Sequence, residues 1–262
     1  MDSENLSSSI FYSAHLRCER AKEHLTDLKS QIDKYFTAEQ VYTVVTEDDG
    51  DGVHEIHKLR FNERFPFRWR ILASEVIEHA RASLDHAAFA SHLAAGGDPD
   101  ARYVAFPFGR TEADLENSMR GRSKDLRPEI QTILRGFKCY EGGNGALYTL
   151  NELCNLSKHA LIALMAGVAQ NVKIFGNPTT LEGVQFPKVL MWDSAKNEVP
   201  YARTKKGREF DHEGELTVFV GIQNKAITST AGVVEVLEAM LTEAGRVISA
   251  LEAECKRLGW VK

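Results

Sequence analysis

Residues 70–97 read RILASEVIEHARASLDHAAFASHLAAGG, and this stretch decides the fold that the sequence predicts. Its apolar residues recur at helical spacing, and Gly96, Gly97 and Pro99 follow as stop signals, so we expect a helix over residues 70–95. A helical wheel places one set of apolar side chains on a broad face: Leu72, Val76, Ile77, Ala80, Leu84 and Ala87. This helix should therefore lie against a hydrophobic core.

Titratable side chains flank that apolar face on both edges. Glu75, His79 and His86 form one stripe, at spacings of four and seven residues. The other edge carries Glu78, Arg81 and Asp85. An exposed ladder of ion pairs would explain the second set and contribute only about 0.2–0.5 kcal/mol per pair. It would not explain the histidines.

The remaining sequence alternates between helical and β patterns. We expect a helix over residues 12–36, a hairpin over 41–61, short helices within 112–136, a helix over 145–167, a β segment over 172–224 and a helix over 229–258. Candidate strands in the β segment are VKIFG (172–176), KVLMWD (188–193) and ELTVFVGIQ (215–223). The acidic EDDGDG at 47–52 has the composition of a hairpin turn and lacks the distal glutamate of a calcium-binding EF-hand loop.

These elements predict an α+β fold in a single domain over residues 1–262. Because the β-rich stretches lie far apart in sequence, we expect one antiparallel β-sheet packed at one end or side of a bundle of four long helices.

Composition limits the function classes. The net charge of −5 and the pI near 6.0 argue against a protein that coats nucleic acid or membrane by bulk charge. We expect no secretory signal and no membrane span, since the longest apolar stretch, at 160–169, is far below about 20 residues. Four scattered cysteines fit a reducing cytoplasm, with Cys154 as a small core residue. No sequence motif for a nucleotide cofactor is present, so we expect none.

A second polar patch lies on the helix predicted over residues 145–167. Opposite its leucine face stand Asn151, Glu152, Asn155, Lys158 and His159. The sequence becomes apolar all round one turn later, which is typical of a buried helix. Buried polar groups need partners, so we expect this patch to meet the polar edge of helix 70–95.

Three short segments carry a resemblance to known proteins. RASLDH at 81–86, FPF at 106–108 and NLSKH at 155–159 resemble a group of uncharacterised bacterial proteins with an R-x-x-x-LDH helix, an FPI-like segment and a later N-x-DKH segment. The similarity covers about residues 10–165, and Ser157 replaces the aspartate that is common in the group. The resemblance implies a shared fold and no particular reaction.

The spacing from Arg81 to His86 also resembles the R-x(4–6)-H signature of HEPN domains. These are helical bundles, many of which are metal-independent ribonucleases that act as dimers. The resemblance implies that Arg81 holds the scissile phosphate and that His86 is the general acid or base. Lys158, His159 and Asn155 would complete the site, although Ala82 here replaces the polar residue that often follows the arginine.

Three interpretations of the polar residues stay open. The first is a ribonuclease or other phosphate-processing enzyme with Arg81, His86, Lys158 and His159 as catalytic residues. Its binding residues would be Asn155, Asp85, Glu152 and His79. RNA or another phosphate-bearing ligand would contact basic loops at 64–70, 120–127 and 203–208. Exposed faces of the bundle would allow a homodimer.

The second interpretation is a di-iron-like metal site, in which Glu75, His79 and His86 face Glu152 and His159. The Glu-x-x-His pairs that such sites use are missing from both helices. The third is a non-catalytic binding or assembly module, in which the polar cluster only ties two helices together. The lone histidines at 15, 24, 54, 57, 92 and 212 fit that module as surface or capping residues.

Overall fold

The structure is a computed structural model and describes residues 10–157, 161–168, 183–186, 192–208, 218–222 and 231–261. The chain divides into two compact units. The helical unit comprises residues 1–28, 70–162 and 234–262, and the sheet unit comprises residues 29–69 and 163–233. The single domain stays a prediction, because a compact unit within a chain need not fold alone.

The described residues form helices α1 (Tyr12–Phe36), α2 (Phe67–Ala94), α3 (Glu112–Arg122), α4 (Pro128–Gly136), α5 (Gly145–Ser157) and α6 (Val233–Arg257). The predicted helices over 12–36, 70–95 and 229–258, and the short helices within 112–136, are confirmed. Local sequence explains where the short ones begin. Thr111 and Asp114 form a reciprocal capping box before α3, and Pro128 opens α4 where no amide hydrogen is needed.

The helix predicted over 145–167 is wrong in its second half. Helix α5 ends at Ser157, and strand β3 (Leu164–Val168) follows. Leu164 and Ala166 are buried with a period of two, and a short apolar run of this kind does not distinguish a strand from a buried helix. Since α5 has only 13 residues, the bundle of four long helices is not confirmed.

The strands confirm the α+β class, but they form two small antiparallel sheets. Strands β1 (Tyr42–Asp48) and β2 (His54–Phe61) make the predicted hairpin, and β4 (Glu198–Lys205) pairs with β2 on its other side. Strand β3 pairs with β5 (Val218–Ile222), which confirms the last predicted strand. The segment at 172–176, and 188–191 of the strand predicted at 188–193, lie outside the described residues.

Each unit has a hydrophobic core of its own. In the sheet unit the buried cluster is Leu59, Phe61, Ala166, Val199, Tyr201 and Ala202. In the helical unit the predicted apolar face of α2 is confirmed, with exposures of at most 2% for Leu72, Val76, Ile77, Ala80, Leu84 and Ala87. Within the described residues, no helix is both long enough and apolar enough to cross a bilayer.

The loop before α3 approaches that helix closely at Gly109. Its backbone N–H donates to the carbonyl of Cys139 at 3.1 Å. A Cβ atom on Gly109 would lie 2.2 Å from the backbone nitrogen of Leu115, whereas a Cβ atom on Gly121 would meet nothing within 4 Å. Only a residue without a side chain fits at position 109.

Gly109→Ala should therefore destabilise the protein by about 1–3 kcal/mol, because the backbone must move to relieve the clash. Gly121→Ala is the matched control, and it should leave the free energy of unfolding unchanged or raise it by up to about 1 kcal/mol. Urea unfolding followed by circular dichroism measures both. Equal midpoints for Gly109→Ala and the unmodified protein would contradict this packing.

Candidate functional site

Helices α1 and α2 lie antiparallel in the helical unit, and a row of polar side chains joins them. We call this row the α1–α2 seam: Ser13, Arg17 and His24 on α1, and Glu75, His79 and His86 on α2. Its outermost contact joins Ser13 Oγ and His86 Nδ1 at 2.5 Å. The seam is partly open to solvent, since Ser13 is exposed and His86 half-buried.

Two further contacts continue the seam along both helices. Arg17 Nη1 lies 3.2 Å from His79 Nδ1, and His24 Nδ1 lies 3.3 Å from Glu75 Oε2. The rings of His24 and His79 stack with centroids 5.5 Å apart. Among the described residues, the side-chain contacts of Glu75 and His79 are therefore made with α1, not with Glu152 of α5.

The electrostatics of the seam favour neutral imidazoles. Burial lowers the pKa of His86, and the positive charge of Arg17 lowers it further. Burial and then Arg17 also lower the pKa of His79. A guanidinium can only donate, so the contact from Arg17 requires His79 Nδ1 to be an unprotonated acceptor. At neutral pH both histidines are thus available as proton acceptors.

Arg81 has different neighbours from those of His86. Its guanidinium lies 4.3 Å from the centroid of the Phe108 ring, and Nη1 is 2.6 Å from Asp85 Oδ2. Asp85 Oδ1 in turn accepts the backbone N–H of Phe106 at 2.9 Å. Arg81 and Asp85 together therefore hold the FPF segment against α2.

The exposed ladder expected for this edge of α2 is wrong for Arg81, whose side chain is only 12% exposed. Helical geometry explains the separation from His86, because residues five apart point about 140° apart around the axis. Nη1 of Arg81 is buried and, within the described chain, has no hydrogen-bond partner, since its close contact with Asp85 lacks hydrogen-bond geometry.

The predicted patch on α5 is only partly described. Asn155 is exposed and Glu152 half-buried. Burial raises the pKa of Tyr148, and the charge of Glu152 raises it further. Lys158 and His159 lie outside the described residues, so their approach to His86 stays a prediction.

In two of the three predicted basic loops, side chains are engaged in contacts with other parts of the protein. In the loop at 64–70, Trp69 is 1% exposed and Arg70 donates to the carbonyls of Leu161 and Ile162. In the loop at 203–208, Arg203 pairs with Asp49 and Asp51, and Lys206 pairs with Asp48. The acidic hairpin turn thus pairs with two of the cations of this basic loop.

The third basic loop, at 120–127, is solvated. Arg122, Lys124 and Arg127 are exposed, and none has an ion-pair partner in the part of the chain that the structure describes. Backbone contacts join this loop to a second one, since Ala105 N donates to Arg122 O at 3.1 Å. The second loop carries the exposed Arg102 and Tyr103, the latter 74% exposed.

A metal site has little support in the described part of the chain, where no three histidine, cysteine, aspartate or glutamate side chains are placed to share an ion. Glu75, His79 and His86 contact α1 side chains instead. All four cysteines are buried thiols, which confirms Cys154 as a core residue.

Sequence reasoning missed the α1 half of the seam. It placed His24 on the surface, yet His24 contacts Glu75 and stacks on His79. His57 and His92 are buried rather than superficial, and His212 lies outside the described residues. The missed signal was the spacing on α1 itself: Ser13, Arg17 and His24 are separated by four and seven residues, which places them on one stripe of a helix.

Comparisons with protein-family models, curated proteins and solved structures found no match for this chain. The resemblances to the bacterial group and to HEPN domains therefore stay hypotheses that rest on the short motifs alone.

Asp85→Ala should destabilise the protein by about 1–3 kcal/mol, because it leaves the Phe106 N–H without its acceptor and the Arg81 charge without its ion-pair partner. Asp85→Asn keeps an acceptor for Phe106 and should cost less than alanine. Glu78→Ala is the control, since Glu78 is exposed on the same helix. Thermal unfolding measures all three, and equal costs for Asp85→Ala and Glu78→Ala would contradict the assigned role of Asp85.

The seam should also make stability depend on pH. The pKa values of His79 and His86 lie below the unfolded value of about 6.5, so the unfolded chain binds more protons below that pH. Their contribution is complete above about pH 6.5 and is lost as the pH falls through the folded pKa values.

Replacing both His79 and His86 with glutamine should reduce the loss of unfolding free energy that occurs as the pH falls below about 6.5. Arg17→Gln should reduce this loss partly, because Arg17 contributes to both shifts. Arg135→Gln is the control. It removes a charge on α4 that pairs with Glu116 on α3, and it should leave the pH dependence of the unfolding free energy unchanged. An unchanged pH dependence in the double histidine variant would show that the seam is not the cause.

Proposed function

We propose that this protein cleaves RNA without a metal ion, with the α1–α2 seam as its acid–base site. One observation carries the proposal: the imidazole of His86 is held by Ser13 at a partly open surface, and the charge of Arg17 helps to lower its pKa. A neutral imidazole is a competent general base near neutral pH. A nearby guanidinium stabilises the charge that develops on a phosphate.

In the proposed reaction, His86 accepts the proton of a ribose 2′-hydroxyl. The 2′-oxygen forms a bond to phosphorus while the bond from phosphorus to the 5′-oxygen breaks. A second group protonates the leaving 5′-oxygen, and the product ends in a 2′,3′-cyclic phosphate. The predicted His159 is the candidate for that proton donor.

We assign the binding of the phosphate to Arg17 rather than to Arg81. The HEPN resemblance implies Arg81, but its guanidinium is occupied by Asp85 and the ring of Phe108. Arg17 contacts His79 and contributes to the lowered pKa of His86. Arg81 then acts as a positioning residue for the FPF segment, and Lys158 stays a further candidate cation.

Contacts to the rest of the RNA would come from the loop at 120–127 with Arg102 and Tyr103. Its cations attract phosphates, and an exposed tyrosine ring can stack on an unpaired base. A local surface of this kind is compatible with a net charge of −5.

A non-catalytic binding or assembly module is the second candidate. It is favoured because the seam side chains satisfy one another, as Ser13 does with His86 and His24 with Glu75. A polar seam of that kind can fix helix register without any chemistry.

Cleavage of a labelled single-stranded RNA in EDTA distinguishes the two candidates. His86→Ala should lower the rate by at least about 100-fold, and Arg17→Ala by about 100-fold, with melting temperatures close to that of the unmodified protein. Arg135→Ala is the matched arginine control and should cleave normally. The new RNA ends should carry cyclic phosphates.

Other outcomes would overturn specific parts. If Arg81→Ala abolishes cleavage in a folded protein while Arg17→Ala does not, Arg81 is the phosphate-binding residue. If the unmodified protein leaves RNA intact and the seam variants only lower the melting temperature, the seam is structural.

A further inference from the structure

The sheet unit contains an open cleft of about 610 Å³, and none of the seam residues lines it. The end of α1 supplies Lys34 and Tyr35, the loop after it supplies Glu39 and Val41, and the loop before α2 supplies Glu63 and Pro66, with Trp69 behind them. A volume of this size is typical of small-molecule sites in proteins.

The two loops that form the cleft are fixed by hydrogen bonds. Asn62 donates its backbone N–H to Val41 O at 3.0 Å and its side-chain amide to Gln40 O. The carbonyl of Glu63 accepts from Tyr35 Oη at 2.7 Å and from Asn197 Nδ2 at 2.9 Å. A ligand would therefore lose little free energy in ordering these loops.

One residue that lines the cleft, Gln40, has a strained backbone conformation. Gln40 has φ +55, a conformation that residues with a Cβ adopt at a cost of about 1 kcal/mol or more. Its carbonyl is the acceptor for the Asn62 amide. The strained turn thus keeps the mouth of the cleft in one shape.

The inner wall is aromatic. The rings of Tyr35 and Trp69 meet edge to face with centroids 5.3 Å apart, and Phe65 packs on Trp69 at 5.2 Å. Burial and the charge of Glu63 raise the pKa of Tyr35 to about 12, so its hydroxyl stays a neutral donor. Trp69 Nε1 is buried and has no acceptor among the described residues.

Charges of both signs surround this wall without partners. Lys34, Glu39 and Glu63 are exposed, and within the described ranges none of them makes an ion pair. Other charged groups of the same unit are paired, for example Lys58 with Glu47 and Arg203 with Asp49. The cleft therefore offers one cation, two anions and an apolar wall.

We propose that this cleft binds a short peptide with free termini and apolar side chains. Its carboxylate would pair with Lys34, its ammonium with Glu39 or Glu63, and a side chain would pack on Tyr35, Val41 and Pro66. This inference is independent of the proposed RNA cleavage, since it uses none of the seam residues.

Calorimetric titration with the dipeptide leucyl-phenylalanine tests the proposal on the full chain. Its N-acetylated form lacks the ammonium group, and its C-terminal amide lacks the carboxylate. Each blocked form should bind at least about tenfold more weakly than the free dipeptide, because it loses one charge-assisted contact.

Variants then assign each contact. Lys34→Gln should remove the preference for the free carboxylate, and the double variant of Glu39→Gln with Glu63→Gln should remove the preference for the free ammonium. Trp69→Phe should weaken all three forms by a similar factor. Lys205→Gln is the matched control, because Lys205 is exposed on β4 and does not line the cleft.

Lys34 and the two glutamates are exposed, so their variants should fold even if Trp69→Phe does not. Absence of heat with the free dipeptide, or equal affinity for the free and blocked forms, would overturn the proposal. An affinity unchanged by Lys34→Gln would overturn it as well. RNA cleavage is measured separately, and its failure would leave these binding results unaffected.

Discussion

The antiparallel pairing of α1 and α2 is the constraint on which the candidate site depends. Each helix carries a stripe of polar residues, and the observed alignment joins Ser13 to His86 and Arg17 to His79. A shift by one residue would rotate each stripe by about 100° and separate the pairs. The seam contacts are made in this register, and they place neutral imidazoles beside a guanidinium at a solvent-accessible surface.

Helix α2 contacts three different parts of the helical unit, which explains why titratable residues are so dense beside its core face. Leu84 is fully buried, Asp85 accepts the Phe106 N–H, and His86 contacts Ser13. Three consecutive residues point in directions about 100° apart, so each meets a different part of the helical unit. The short LDH segment therefore has a structural role in every position, and a catalytic role for His86 would be added to that role.

Much of this could be predicted from sequence, because helical periodicity and capping residues are local signals. Hairpin β1–β2 and helix α2 are examples. The change from α5 to β3 could not, since the apolar run after Ser157 fits either a buried helix or a strand and only its partner β5 decides. The partners of His79 and Arg81 also depend on which elements pack against α2. Helical periodicity identifies the polar edges of α2, but it does not identify the element that packs on each edge.

In both units, charged side chains that form ion pairs within the protein differ from those that are available to a ligand. Glu198 is 2% exposed and is held by Lys58 and Arg60, so those cations serve the sheet. Removing a buried carboxylate of that kind leaves its cations uncompensated, which is why such networks are rarely free to bind ligands. Charged groups without a protein partner instead meet water, and a ligand can replace that water at low cost. By this criterion, among the described residues, the loop at 120–127 and the rim of the sheet-unit cleft carry charged groups that a ligand could contact without breaking an ion pair.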